Sequence, residues 1–152
     1  MNVSYFAISA ALLASLALET AAAESVAEKA LAIAPNAAAL KWGPCPAIFP
    51  AGCEIAVLHG DPAAPNADVF LRVSAKTELP PHWHTSAERM ILVSGELHVS
   101  YQGQPTAILT PGAYAYGPPK VPHKAVCMSS DACTLFIAFE SPVDAQPYDG
   151  PL

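Results

Sequence analysis

The chain has 152 residues, a formal net charge of −6 and 53% hydrophobic residues. That length is one ordinary domain. Its seven basic residues are scattered, which speaks against nucleic acid and anionic membrane surfaces as partners, and no Walker loop, dinucleotide fingerprint or serine elbow occurs.

In chain order, the first element is an apolar run of fourteen residues, Tyr5 to Leu18, followed by Ala21-Ala22-Ala23 before Glu24. A short apolar run ending in small residues reads as a cleaved signal peptide over residues 1–23, although Met1 to Ser4 carries no Lys or Arg. The run is too short to span a bilayer comfortably, so no membrane span is expected after cleavage. The expected location is secreted or periplasmic. Loss of Glu19 with the leader brings the net charge to −5.

Residues 24–40, "ESVAEKALAIAPNAAAL", are alanine-rich and broken by Pro35; they form a short helix or a loose arm. "KWGPCPAIFPAGC" follows, with three prolines and two glycines in thirteen residues, a loop-rich approach. It holds two of the four cysteines, Cys45 and Cys53; the others are Cys127 and Cys133. An even count in an exported chain reads as two disulfides. Four cysteines allow three connectivities, of which local pairing is expected: Cys45–Cys53, and Cys127–Cys133 across a hairpin around "MSSDA". The alternative, a thiolate metal site, finds no common zinc spacing in the seven and five intervening residues.

From Glu54 onward, short apolar runs alternate with turn signals. "ADVFLRVSA" places Val69, Leu71 and Val73 on one face. "ERMILVSG" and "ELHVSYQG" meet at Ser94-Gly95, a hairpin signal. About eight strands at a spacing near ten residues, with sixteen prolines in the chain, predict an all-β sandwich or barrel over 41–140. Residues 141–152 read as an irregular, proline-rich tail.

The chemistry concentrates in "PPHWHTSAE". His82 and His84 are two apart, so on a strand both imidazoles share a face and Trp83 takes the other. Pro80 and Pro81 put the strand at an edge or rim. After a turn at residues 85–87, Glu88 opens the next strand and can join the pair, so three ligands converge from about one hairpin. Met90 and Leu92 share its face. His123, stiffened by Pro118, Pro119 and Pro122, is the candidate fourth ligand. Nitrogen and oxygen donors without thiolate suit Fe, Mn, Ni, Cu or Zn as a divalent ion. His59 and His98 read as ordinary polar side chains, and Trp42, Trp83 and Phe49 as packing. In "AYAYG", either Ala113, Ala115 and Gly117 or the tyrosines Tyr114 and Tyr116 face inward.

The spacing His82-x-His84-x3-Glu88-x6-Gly95 resembles the first motif of the cupin superfamily. The run from Gly112 through Pro118 to His123 resembles the second, and sixteen residues separate Gly95 from Gly112. Lys76 and Lys120 stand where that family usually has glycine, and Cys127 where it usually has asparagine. The resemblance implies a single antiparallel jelly-roll β-barrel, with one divalent transition metal held by His82, His84, Glu88 and His123 near one mouth. It implies a small-molecule substrate or ligand, and homodimers formed through strand edges. The expected function is a metal-dependent dioxygenase, isomerase or lyase acting on a small oxygenated organic molecule. The alternatives are a non-catalytic module that binds or senses a metal or small ligand, and a structural protein.

Overall fold

Eleven strands and no helix occur among the described residues, Met1 and 28–152, of this computed structural model. The predicted leader, apart from Met1, lies outside the described residues. The chain divides into two units, 1–31 and 32–152. In the first, residues 28–31 are exposed and form neither helix nor strand. In the second, residues 32–40 make turns and no helix.

The strands are β1 (Trp42–Pro44), β2 (Cys53–His59), β3 (Asp68–Val73), β4 (Glu78–Trp83), β5 (Glu88–Ser94), β6 (Leu97–Tyr101), β7 (Ala107–Leu109), β8 (Tyr114–Gly117), β9 (His123–Cys127), β10 (Cys133–Phe139) and β11 (Gln146–Pro147). They form a six-stranded sheet, β1-β2-β3-β10-β5-β8, and a five-stranded sheet, β11-β4-β9-β6-β7. Every pairing is antiparallel. This is the expected all-β jelly roll. The strands that exceed the expected count include β1 and β11, of three and two residues, too short to show an alternation.

Strand alternation builds the core. On β5, Glu88, Met90 and Leu92 are buried while Arg89 and Ile91 are exposed. On β10, Cys133, Leu135, Ile137 and Phe139 are buried. Leu135 pairs with Leu71 on one side and Leu92 on the other, and Ile137 with Val69 and Met90. The second sheet answers with Leu79, Leu97, Val99, Ala125 and Cys127. Two inward-facing apolar layers thus close on each other, the arrangement that sheet packing requires.

Three expectations are corrected here. Ser94-Gly95 is not a hairpin: β5 and β6 belong to different sheets, and the turn carries the chain from one to the other. A turn residue announces a reversal and not the sheet the chain enters. Gly95 is required there, with φ 88° and a point 2.8 Å from Cys133 Sγ where a Cβ would sit. Cys127 and Cys133 are bonded, as are Cys45 and Cys53. Yet the former pair does not lie on a hairpin: it joins the end of β9 in one sheet to the start of β10 in the other. Finally, the tail is not wholly irregular, because β11 pairs with β4 through Gln146–Trp83 and Pro147–His82.

Candidate metal centre

His82 reaches the interior by an irregularity in its strand. On the β4–β9 ladder Leu79 pairs with Ala125 and His82 with His123, so three steps on β4 match two on β9. This extra residue falls at Pro80-Pro81, which cannot donate to the ladder. It resets the pleat, so that Leu79 and His82, three apart, are both buried. His84 follows two residues later on the same face.

The segment to Glu88 is not a hairpin either, since β4 and β5 lie in different sheets. It is a crossing pinned at several points. The buried Ser86 hydroxyl donates to Ala87 O at 2.7 Å and accepts from the Glu140 and Ser141 amides, both at 2.9 Å. Thr85 N and Oγ1 donate to the Asp144 carboxylate at 2.8 and 2.6 Å. His84 O accepts from Lys120 N at 2.8 Å. Lys120 and Lys76 hold φ of 61° and 57°, so both keep the left-handed turn that glycine would adopt easily.

The three histidines are seated alike. His82 Nδ1 faces Pro80 O at 2.6 Å, His123 Nδ1 faces Val121 O at 3.1 Å, and His84 Nδ1 bonds Asp144 O. A carbonyl only accepts, so each Nδ1 carries the proton and each Nε2 keeps its lone pair. Ligating atoms of His82, His84 and His123 all lie within 4.8 Å of one another, and all three residues are buried. Glu88, also buried, sets Oε1 at 3.5 Å from His84 Nε2 and Oε2 at 3.7 Å from His123 Nε2. Sequence-predicted ligands from three separate segments thus meet in one place, while His59 and His98 do not join them; His98 bonds Glu96 at 2.8 Å instead.

Burial lowers the His82 pKa to about 3, helped by the neighbouring His123 and His84 and opposed by the Pro80 carbonyl. Burial also lowers that of His123, against the pull of Glu88. Neutral imidazoles are the form that binds metal. Lone pairs and a carboxylate gathered in a buried space repel one another unless a cation lies between them. The triad could hold a metal ion, and the donor set fits a divalent transition metal. Orientation of the rings by carbonyls on the far nitrogen is the usual support for such ligands.

The cavity has walls from both sheets, including Leu79, Met90, Val99, Leu135, Ile137 and Phe139. Tyr114 and Tyr116 are 61% and 49% exposed, so neither lines it, and Gly117 is buried on the inner face. A Cβ on Gly117 would lie 3.0 Å from Glu88 Oε2 and 3.1 Å from Tyr101 Oη, so this glycine leaves room for both oxygens.

Residues not singled out from sequence complete the site. Tyr101 lies with its ring centre 5.0 Å from that of His123; burial, then Glu88, raises its pKa. The alternation Leu97-Val99-Tyr101 could have pointed inward to it. Phe49, read from the sequence as packing, lies edge-on against His82, ring centres 4.7 Å apart. Asp144 supplies the carbonyl under His84. Burial works to raise its carboxyl pKa, but the Thr85 donors hold it below the usual value. No side-chain pattern signals a residue that acts through its carbonyl.

Residues 31–142 match the family of the ChrR cupin-like domain. Val143 to Ala145, which line the cavity, and β11 lie beyond that match. No curated protein matches the sequence. Among solved structures, an RmlC-like cupin from Shewanella frigidimarina is 25% identical with a TM-score of 0.56, over 69% of this chain and 86% of that one. The polyketide cyclase RemF from Streptomyces resistomycificus is 19% identical with a TM-score of 0.61, over 74% and 82%. The DMSP lyase DddQ from Ruegeria pomeroyi is 17% identical with a TM-score of 0.62, over 74% of this chain but 64% of the lyase. The last two speak for the fold alone. Matched over most of its length and folded as a two-sheet jelly roll around a histidine triad, the chain belongs to the cupin superfamily, in the family of the ChrR cupin-like domain.

Proposed function

We propose that the protein is a secreted or periplasmic metal-binding cupin that acts as an enzyme on a small oxygenated organic molecule. One observation carries this reading: three Nδ1–H groups are engaged by backbone carbonyls, so three Nε2 lone pairs remain for a single ion. His82, His84, Glu88 and His123 would hold one divalent ion, Fe, Mn, Ni, Cu or Zn. When bound, such an ion supplies Lewis acidity toward a substrate oxygen or water.

The chain's own residues do the remaining work. The carbonyl seats orient the imidazoles, while burial favours the neutral form of His82 and His123. The apolar walls exclude bulk water and so strengthen each electrostatic contact inside. Glu88, one of the four ligands in this reading, would also accept a proton if it detached from the ion. Solved relatives named as a cyclase and a lyase support catalysis on this scaffold, and two disulfides support an oxidising compartment.

The test is elemental analysis of protein purified without affinity tags, followed by turnover of small diketones and phenolics by parent and His82→Ala. Stoichiometric metal in the parent and lost turnover in the variant support the reading; equal activity in the two sinks it. A second reading, a non-catalytic binding or sensing module, is favoured by the scarcity of acid–base groups lining the cavity among the described residues: beyond the triad they are Glu88, Tyr101 and Asp144. Tight metal and ligand binding by calorimetry, without turnover, would support it.

A further inference from the structure

One hydroxyl in the cavity lacks a partner. Among the described residues, Tyr101 Oη is the buried side-chain polar atom with no hydrogen bond, and the residue is 8% exposed. Leaving a buried hydroxyl unpaired is costly, because it gives up its hydrogen bonds to water and gains none in return. Such a group is kept where something else satisfies it. Its position is informative: Tyr101 Oη and Glu88 Oε2 flank one point, 3.1 and 3.0 Å from where a Cβ on Gly117 would sit, with the His123 ring alongside.

The rest of the wall narrows what could satisfy it. Among the described residues, no Lys, Arg, Ser, Thr, Asn or Gln lines the cavity. Its polar groups are the three histidines, Glu88, Tyr101 and Asp144, and the half-buried Asp144 carboxylate is engaged by Thr85. A polyhydroxylated ligand would leave most of its hydroxyls unpaired against Leu, Ile, Val and Phe, at a cost for each. A second anionic group would find no cation to pair with. Charge sets the head group. A divalent ion, three neutral imidazoles and one carboxylate leave a net charge of about +1 in a buried site, which a single negative charge neutralises.

We infer that the cavity receives a small monoanionic molecule with an oxygen head and an apolar body, the head accepting a hydrogen bond from Tyr101 Oη. This rests on the metal-binding reading and narrows it: sugar acids are disfavoured, and apolar carboxylates or enolates are favoured. Tyr101 is then the residue that selects the head group.

The test uses the full chain loaded with Co(II), whose absorption bands report both metal and ligand. Hexanoate and gluconate are the probes, two six-carbon monocarboxylates that differ in their hydroxyls. Hexanoate should shift the bands and bind at least tenfold more tightly than gluconate. In Tyr101→Phe, which keeps the ring against His123, hexanoate should bind at least fivefold more weakly. Gluconate binding as tightly as hexanoate, hexanoate leaving the bands unmoved, or a folded Tyr101→Phe binding hexanoate like the parent would each overturn the inference. Should Tyr101→Phe fail to fold, the two probes on the parent decide. Absence of Co(II) bands in the parent would overturn the metal reading itself, whereas bands that ignore hexanoate overturn this inference alone.

Discussion

The two ends of β9 are held in opposite ways. At Cys127 a covalent bond crosses from one sheet to the other, with Gly95 close against it. At His123, on the strand's other end, the sheets meet through imidazoles, a carboxylate and pinned loops, and the cavity opens. The comparison separates two jobs. Fixing the sheets against each other is done where nothing has to enter, so the open end can carry polar groups that a sealed core would not tolerate.

Substitutions can test that division. The largest effect is expected at the open end: His82→Ala should lower Co(II) affinity by more than about 100-fold, because one ligand and its seat are lost together. Circular dichroism should show the strands unchanged. Next is the covalent end. Replacing Cys127 and Cys133 together by Ser should cost about 2 kcal/mol in urea unfolding, the scale for closing so short a loop. If the ends are as separate as they look, Co(II) affinity should stay within about threefold. A large loss of metal would show that the clasp positions the site as well.

Asp144→Ala should weaken Co(II) binding about tenfold, since releasing the carboxylate from Thr85 loosens the carbonyl that holds His84. Asp144→Asn, which still accepts from Thr85 N, should recover part of that loss. The smallest effect belongs to Lys120→Gly. Relief of the left-handed backbone is worth about 1–2 kcal/mol, mostly offset by the freedom glycine gains in the unfolded chain. A thermal melt should rise by a few degrees at most, with metal affinity unchanged.

Legibility from sequence followed the same divide. The core was readable because strand alternation is a side-chain signal: Glu88, Met90 and Leu92 appear on one face in both the sequence and the fold. The candidate ligands were readable from residue type and spacing, but the way they converge was not. His82 faces inward only because the ladder slips at Pro80-Pro81, and alternation alone carries no register. The crossing from β4 to β5 looks like a hairpin because turn residues encode reversal, whereas sheet membership depends on partners far along the chain. Lys76 and Lys120 show a further limit: the backbone keeps a glycine-like turn with no glycine to mark it. Asp144 was invisible for the plainest reason, since every residue has the carbonyl it uses.

That carbonyl ties the segment from Val143 to Tyr148 to the His84 imidazole, and through it to any ion the triad would hold. The segment is fixed by β11, by Tyr148 N on Pro81 O at 3.0 Å and by Val143 N on Pro62 O at 2.8 Å. Linkage is reciprocal: if docking this segment tightens the ion, the ion tightens the docking by the same factor. Amide hydrogen exchange at Tyr148 is therefore an occupancy gauge, slow when the site is filled and faster when it is stripped. A stretch of chain outside the family's matched core would then report, from the surface, what the interior holds.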